Sequence, residues 1–405
     1  MLGLYIIIII FTLIGVALGR VPFFKMNRAS FALIGATSLI LVGAISLEKA
    51  YLSIDANTLV LLFAMMVLNA NLRLAGFFDS IAYKLTCWAG TPKQLLAVII
   101  FSSGVLSAIF LNDTIVLMFT PLVIAITTSL KRNPVPYLIG LMTSANIGSA
   151  ATLTGNPQNM IIGIASGIPY GAFASRLAPA AFAGLIISFI VILLLYPKEF
   201  RKERFQTPAE CTVVIIKPLF YKSIAATSGL LIVLFLGAPI ALSALGAAAL
   251  LLFTRRVEPQ KIFSEIDFTL LVFFSGLFVT TGAIEAIGLS DFFFNHFKSI
   301  AEAGPINLSA VSVLLSNLIS NVPAVLLFKP LIGGFSSPVE AWLTLALSTT
   351  FAGNLTLLGS VANLIVAESA AKKGIRISFG EYLKAGVPIT LLSLLAGMAL
   401  LILWS

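Results

Sequence analysis

The chain has 405 residues, of which 59% are hydrophobic and 10% charged; soluble globular proteins carry about 25% charged residues, so a water-soluble fold is excluded and lipid is the solvent. With one histidine, His296, and two isolated cysteines, Cys87 and Cys211, the sequence lacks the means for a His-based triad, a disulfide framework or a Cys/His metal site. No GxxxxGK[ST] motif is present, which sets ATP aside as the energy source.

A membrane-crossing helix needs about 20 apolar residues. The first run, 2–19, lacks the basic n-region and small-x-small cleavage site of a signal peptide, and is read as a retained span. Spans follow near 29–47 and 56–76. The next apolar segment, 94–130, is interrupted at its midpoint by Leu111-Asn112-Asp113-Thr114. Two more spans, 137–168 and 174–196, complete a first half, 1–196. The hydrophilic stretch 197–222 is read as a cytoplasmic linker. The second half, 223–405, has spans near 223–237, 239–254 and 267–284, an interrupted segment 306–337, and spans near 341–371 and 381–404.

Basic residues set orientation. Arg20, Lys25, Arg28, Arg73, Lys84, Lys93, Lys131, Arg132, the linker cluster Lys198 to Arg204, Arg255, Arg256, Lys261, Lys372, Lys373 and Arg376 all fall on one side if each interrupted segment enters and leaves by the same face. That side is expected to be the cytoplasm. The net charge of +9 then records topology, and nucleic acid is not an expected partner.

The halves match each other. Leu106-Ser107, Asn112, Val116-Leu117, Phe119 and Pro121-Leu122 recur as Leu315-Ser316, Asn321, Val325-Leu326, Phe328 and Pro330-Leu331, a shift of 209 residues. Thr152-Leu153, Gly155 and Asn159 recur as Thr356-Leu357, Gly359 and Asn363, a shift of 204. Coincident Asn, Pro, Gly and Thr at membrane depth carry the match. Five crossings per half make the second half inverted, as in secondary transporters whose sites lie at discontinuous helices near the midplane. The expected fold is an all-α integral membrane protein of two inverted repeats. Each has five spans, a re-entrant hairpin and a broken helix, giving about ten full spans and two hairpins. Each arm of 94–130 holds about 17 residues, or about 25 Å of helix. Length therefore also permits two ordinary spans joined by a turn, and the tip-to-tip match favours re-entrance.

Backbone that leaves a helix inside lipid must be satisfied by protein, water or ion. Four places combine helix breakers with short polar side chains: the first tip, with Asn112, Asp113 and Thr114; the first broken helix, with Asn146, Thr154, Gly155, Asn156 and Asn159; the second tip, with Ser320, Asn321 and Pro323; and the second broken helix, with Asn354, Thr356, Gly359, Ser360 and Asn363. Exposed helix N-termini suit an anionic or hydroxylated solute, and free carbonyls suit Na⁺. These sixteen residues are the expected substrate- and ion-binding set. Asp113 alone among the acidic residues lies mid-segment between long apolar runs, and is expected to coordinate Na⁺ or carry a proton. Lys329 is read either as a partner of Asp113 or substrate, or as a snorkelling lysine.

At these motifs the chain resembles the ion-transporter superfamily of divalent-anion:sodium symporters, arsenite permeases, citrate–metal symporters and sodium/proton antiporters. The phrases LNDTIVLMFTPLVIAI, ANIGSAATLTGNPQNM, SNLISNVPAVLLFKP and GNLTLLGSVAN are most similar to bacterial anion transporters. The resemblance implies one cation site at Asn112, Asp113 and Asn156, another at Asn321, Gly359 and Asn363, and substrate between the tips. The family's dicarboxylate symporters carry Ser-Asn-Thr at both tips. Here Asp113 and Val322 stand where each Thr would be, and a fixed negative charge disfavours a dianion unless a cation or proton neutralises it.

The expected function is secondary transport of a small anion or oxyanion coupled to Na⁺ or H⁺ by an elevator-like motion. A sodium/proton antiporter using Asp113 and an arsenite-type neutral-solute permease are the alternatives. An enzyme is not expected, and no cofactor beyond the coupling ion. The expected partners are the solute and the lipid bilayer, with a homodimer left open. The expected location is the bacterial inner membrane, multi-pass.

Overall fold

A computed structural model describes residues 1–19, 25–201, 205, 215–255, 257–289 and 304–403. His296, Cys211, Arg20, Lys202, Arg204 and Arg256 lie outside this set.

The first half comprises α1 (Leu2–Leu18), α2 (Arg28–Leu41), α3 (Leu47–Ser53), α4 (Ala56–Leu74), α5 (Phe77–Trp88), α6 (Pro92–Ile109), α7 (Asn112–Ser129), α8 (Pro134–Ser149), α9 (Pro157–Ser166) and α10 (Tyr170–Leu195). The second comprises α11 (Lys217–Phe235), α12 (Ile240–Leu252), α13 (Pro259–Phe263), α14 (Phe268–Ala286), α15 (Pro305–Ile319), α16 (Asn321–Phe328) with a 3₁₀ turn Lys329–Gly334, α17 (Pro338–Ala352), α18 (Val361–Lys372) and α19 (Phe379–Leu403). The order repeats: α1 to α4 answer α11 to α14, and α6 to α10 answer α15 to α19. The caps repeat as well. Asp55 accepts from Thr58 N at the start of α4, and Asp267 accepts from Leu270 N at the start of α14. Each satisfies a backbone donor that lipid could not.

The linker and three spans differ from those expected, while the broken helices fall where they were expected. Segments 137–168 and 341–371 are each two helices, broken at 150–156 and 353–360 where the sequence places the broken helices. Gly, Asn and Pro at the breaks outweigh the unbroken apolar pattern. The linker 197–222 is shorter than expected, because α11 already begins at Lys217 with Pro218 in its first turn. Among the described residues, seven helices are long and apolar enough to cross a membrane: α4, α6, α7, α10, α11, α14 and α19. The expected spans 2–19, 29–47 and 239–254 are shorter helices of 17, 14 and 13 residues.

Packing divides the helices into two bodies. In one, α1 packs on α2, α2 on α14, α4 on α12 and α14, and α11 on α12. In the other, α8 packs on α6, α7 and α10, α7 on α18, α15 and α16 on α17, and α10 on α19. The bodies meet where α4 touches α9, α1 touches α15, α14 touches α16, and α5 lies against α6 and α7.

The tip between α6 and α7 lies inside the protein. Leu111 and Asn112 are buried, and the Asn112 amide donates to the Gly155 carbonyl at 3.0 Å. A turn joining two ordinary spans would face water, so burial supports re-entrance.

The α6–α8 contact depends on glycine. A Cβ at Gly148 would lie 2.1 Å from the Gly104 carbonyl oxygen, whereas one at Gly229 would meet nothing within 4 Å. Gly148→Ala is expected to destabilise the detergent-solubilised protein by about 3 kcal/mol, the upper end for overpacking, while Gly229→Ala leaves the melting temperature unchanged or slightly higher. Equal melting temperatures for the two variants would contradict this packing.

Candidate solute and ion site

The two broken helices are braced by matched asparagines. Asn159 Nδ2 donates to the carbonyls of Thr152 at 2.9 Å and Ser149 at 3.2 Å. Its counterpart Asn363 Nδ2 donates to Thr356 at 3.2 Å and Gly353 at 2.8 Å. In each half one amide therefore holds the unpaired carbonyls of the break. Asn156 caps α9 by accepting from Asn159 N at 2.8 Å, and Ser360 caps α18 by accepting from Ala362 N at 3.2 Å. Asn363 also donates to Tyr382 Oη at 3.0 Å.

The first tip seats on the first break. Thr152 donates its hydroxyl to the Ala108 carbonyl at the end of α6. Thr154 Oγ1 lies 3.5 Å from the Ile109 carbonyl and 3.1 Å from Tyr170 Oη. A side chain at Gly155 would collide with the Ser149 and Ser107 carbonyls, at 2.3 and 2.7 Å. At the second tip, Ser316 Oγ donates to Asn321 Oδ1 at 2.6 Å and Asn317 Nδ2 donates to the Ala352 carbonyl at 3.1 Å. Ser320 between the two arms has φ 80° and ψ 157°, a region occupied almost solely by glycine and costing about 1–3 kcal/mol. Pro323 is buried within α16.

Asn146 joins the halves. Its Oδ1 accepts from Asn112 Nδ2 at 3.1 Å and Ser360 Oγ at 3.0 Å. Its Nδ2 donates to Asn354 Oδ1 at 2.9 Å and Asn363 Oδ1 at 3.1 Å. Asn354 continues the chain to the Thr143 carbonyl at 3.1 Å. Asn156 Nδ2 reaches Ser149 Oγ at 2.9 Å and Thr350 Oγ1 at 3.4 Å.

Beside the first tip lies a cavity of about 180 Å³ whose polar lining is Asn69, Arg73, Asp113, Thr114, Glu265 and Asp267. Asn69 on α4 is 3% exposed and donates to Thr114 Oγ1 at 3.2 Å, while its Oδ1 has no partner. Arg73 is paired with Glu265. The charged groups acting on Asp113 are Arg28 and Asp267. With Arg73 and Glu265 cancelling, the lining keeps two carboxylates, Asp113 and Asp267, and the Arg28 guanidinium acts on Asp113 without lining the cavity. Among the described residues, no group of three or more His, Cys, Asp or Glu is placed to hold a metal ion.

The expected set is thus only partly gathered. Asn112, Asn146, Asn354, Ser360 and Asn363 form one network, and Asp113 and Thr114 face the cavity. Asn156 caps α9 and does not line the cavity with Asp113. Gly359 lies against Asn317, since a Cβ there would be 3.1 Å from its Oδ1, and Asn317 Oδ1 is itself unpartnered. Asn159 Oδ1 is likewise without a partner. Lys329 does not pair with Asp113; it pairs with Asp55 at 3.7 Å. Sequence reading passed over Asn69, Arg73, Glu265 and Asp267. The signal for Asn69 was present as an amide inside the apolar span 56–76, but it came without the Gly or Pro that marked the other sites.

A family model described as citrate transporter matches residues 6–352. The silicon efflux transporter LSI3 of Oryza sativa subsp. japonica is 31% identical over 94% of this chain and 93% of its own length. The Mycobacterium bovis transporter Mb2703 is 27% identical over 94% of each chain. Among solved structures, the Alcanivorax borkumensis YdaH transporter, described as having an unusual topology, superposes with a TM-score of 0.57 at 14% identity, covering 99% of this chain and 97% of that one. That last likeness concerns the fold alone.

Proposed function

The chain belongs to the citrate transporter family and is a multi-pass secondary transporter rather than an enzyme, and from that premise we propose that it moves a small oxyacid in its uncharged, hydroxylated form, coupled to a cation or proton at Asp113. The observation that carries this reading is the charge of the cavity. Asp113 and Asp267 face it, and Arg73 is held by Glu265. An anion entering would meet net negative charge in a medium of low dielectric, where like charges repel strongly. A neutral polyhydroxy acid offers O–H donors to amides and carboxylates instead. The rice relative's name, a silicon efflux transporter, supports the same solute class, since dissolved silicon at neutral pH is an uncharged tetrahydroxide.

A second reading, an oxyanion carried with a neutralising cation, is supported by the helix N-termini of α7 and α16 at the two tips, which favour negative charge. In either reading, the hairpins and broken helices travel as one body against the body containing α4 and α14. The Lys329–Asp55 pair would break as they part.

Proteoliposomes under imposed Na⁺ or H⁺ gradients test the choice. Uptake or efflux of arsenous or orthosilicic acid is expected, with citrate and sulfate inert. Transport of the anions without the neutral acids would replace the first reading by the second. Cation exchange with no solute requirement would overturn both in favour of a sodium/proton antiporter.

A further inference from the structure

Resting on the reading that the solute is a hydroxyl donor, we propose that Asn69 is a solute-binding residue, its side-chain Oδ1 accepting a hydrogen bond from a solute hydroxyl. Buried polar atoms are almost always partnered, and each exception needs an explanation. Asn69 Oδ1 is such an exception, in a residue whose other side-chain atom, Nδ2, is already committed to Thr114 Oγ1 at 3.2 Å. With Nδ2 on Thr114, Oδ1 is the unpartnered end of a side chain that lines the cavity with Asp113 and Thr114, closed to water until the side chain turns toward the solute.

The chemistry of the lining selects the ligand. Asn69 Oδ1 and the Asp113 carboxylate are both acceptors, so the group that satisfies them must donate. A hydroxyl of an oxyacid does so, whereas a fully deprotonated oxyanion has no hydrogen to give and leaves the orphan unsatisfied. Asn69 thereby favours a hydroxylated solute over one without O–H groups. The cavity of about 180 Å³ exceeds the ~30 Å³ share of a single water severalfold, which suits a compact polyhydroxy acid and leaves a lone monovalent ion loosely held. Asn69 lies on α4, in the body that packs with α12 and α14, whereas Asp113 and Thr114 lie on the hairpin. The solute is therefore held across the seam between the two bodies, and leaves Asn69 behind as the hairpin moves.

The test uses the full-length protein in proteoliposomes, with arsenous acid as probe, comparing Asn69→Leu and Asn69→Ala with Asn71→Ala. Asn71 is on the same helix and also has an unpartnered Oδ1, but does not line the cavity. Asn69→Leu and Asn69→Ala are expected to raise the KM for arsenous acid about tenfold, the loss of one hydrogen bond, with maximal rate and the half-saturating Na⁺ or H⁺ unchanged. Asn71→Ala should leave KM as in wild type. The melting temperature of ligand-free Asn69→Leu should be preserved or raised, because an unsatisfied buried acceptor has been removed, while a given concentration of arsenous acid raises it less than it raises wild type. A KM unchanged in both Asn69 variants, in a protein that transports arsenous acid, overturns the assignment and leaves the proposed function standing. A changed half-saturating cation concentration with unchanged solute KM also overturns it, making the amide a cation ligand. Wild type failing to move or be stabilised by arsenous or orthosilicic acid would instead overturn the reading on which the assignment rests.

Discussion

Asp113→Asn should abolish gradient-driven accumulation of solute while leaving a folded, monodisperse protein. The substitution removes one charge at nearly constant volume, so packing around the first tip is kept. What is lost is the carboxylate that faces the cavity at the first turn of α7, where Arg28 and Asp267 are the charges acting on it. A charge-assisted contact contributes about 1.5–3 kcal/mol, which corresponds to about a 10- to 150-fold loss of affinity for the coupling cation. Uptake against a concentration gradient should fall to the level of protein-free liposomes. Exchange of labelled for unlabelled solute, which needs no net coupling, should persist. Undiminished accumulation by the variant would show that Asp113 is a wetted turn residue and that coupling resides elsewhere.

Asn146→Ala should be the most destabilising substitution of an amide in the molecule. The side chain makes four hydrogen bonds, to Asn112, Ser360, Asn354 and Asn363. Two measures bracket the effect. Side-chain hydrogen bonds inside membranes average about 0.6 kcal/mol, which sets a floor of about 2 kcal/mol for four. Orphaning a buried polar group costs about 1–3 kcal/mol, and a truncated Asn146 leaves several such groups inside a site that lipid cannot satisfy. Loss of at least about 3 kcal/mol is therefore expected, read as a lowered melting temperature. The comparison is Asn133→Ala, which removes an exposed N-cap whose Oδ1 accepts from Val135 N at 3.1 Å; a cap of this kind contributes about 1 kcal/mol. Equal losses for the two variants would mean that the network tying the halves together is not under tension with stability. Because Asn146 couples the first tip to the second broken helix, its loss should also lower transport in the fraction that folds.

The two halves, the tips and the broken helices were legible in the sequence, because backbone chemistry writes them locally. Gly155-Asn156-Pro157 and Gly359-Ser360 cannot sit in an unbroken apolar helix without a reason, and their recurrence at a shift of 204 residues, with that of the tips at 209, marks two copies of one design. Burial of the first tip against Gly155 agrees with the re-entrant reading drawn from that recurrence. The same local logic misjudged length at 29–47 and 239–254, which form helices of only 14 and 13 residues.

What composition and spacing could not supply was the identity of partners. Asn146 meets Asn354 and Asn363 across 208 and 217 residues, and Arg73 meets Glu265 across 192. Lys329 turns to Asp55 rather than Asp113, and Asn69 enters the cavity with one side-chain oxygen unsatisfied. Each of these depends on how far one helix is rotated and displaced along another. In a chain where nearly every helix is apolar on all sides, period and polarity do not encode that rotation. The sequence by itself determined that the backbone must break at two matched depths and that polar groups must gather there. Only the packing of α4, α7, α8, α14 and α18 decided which of them face one another, because a hydrogen bond is specified to a few tenths of an ångström and a hydrophobic surface is not.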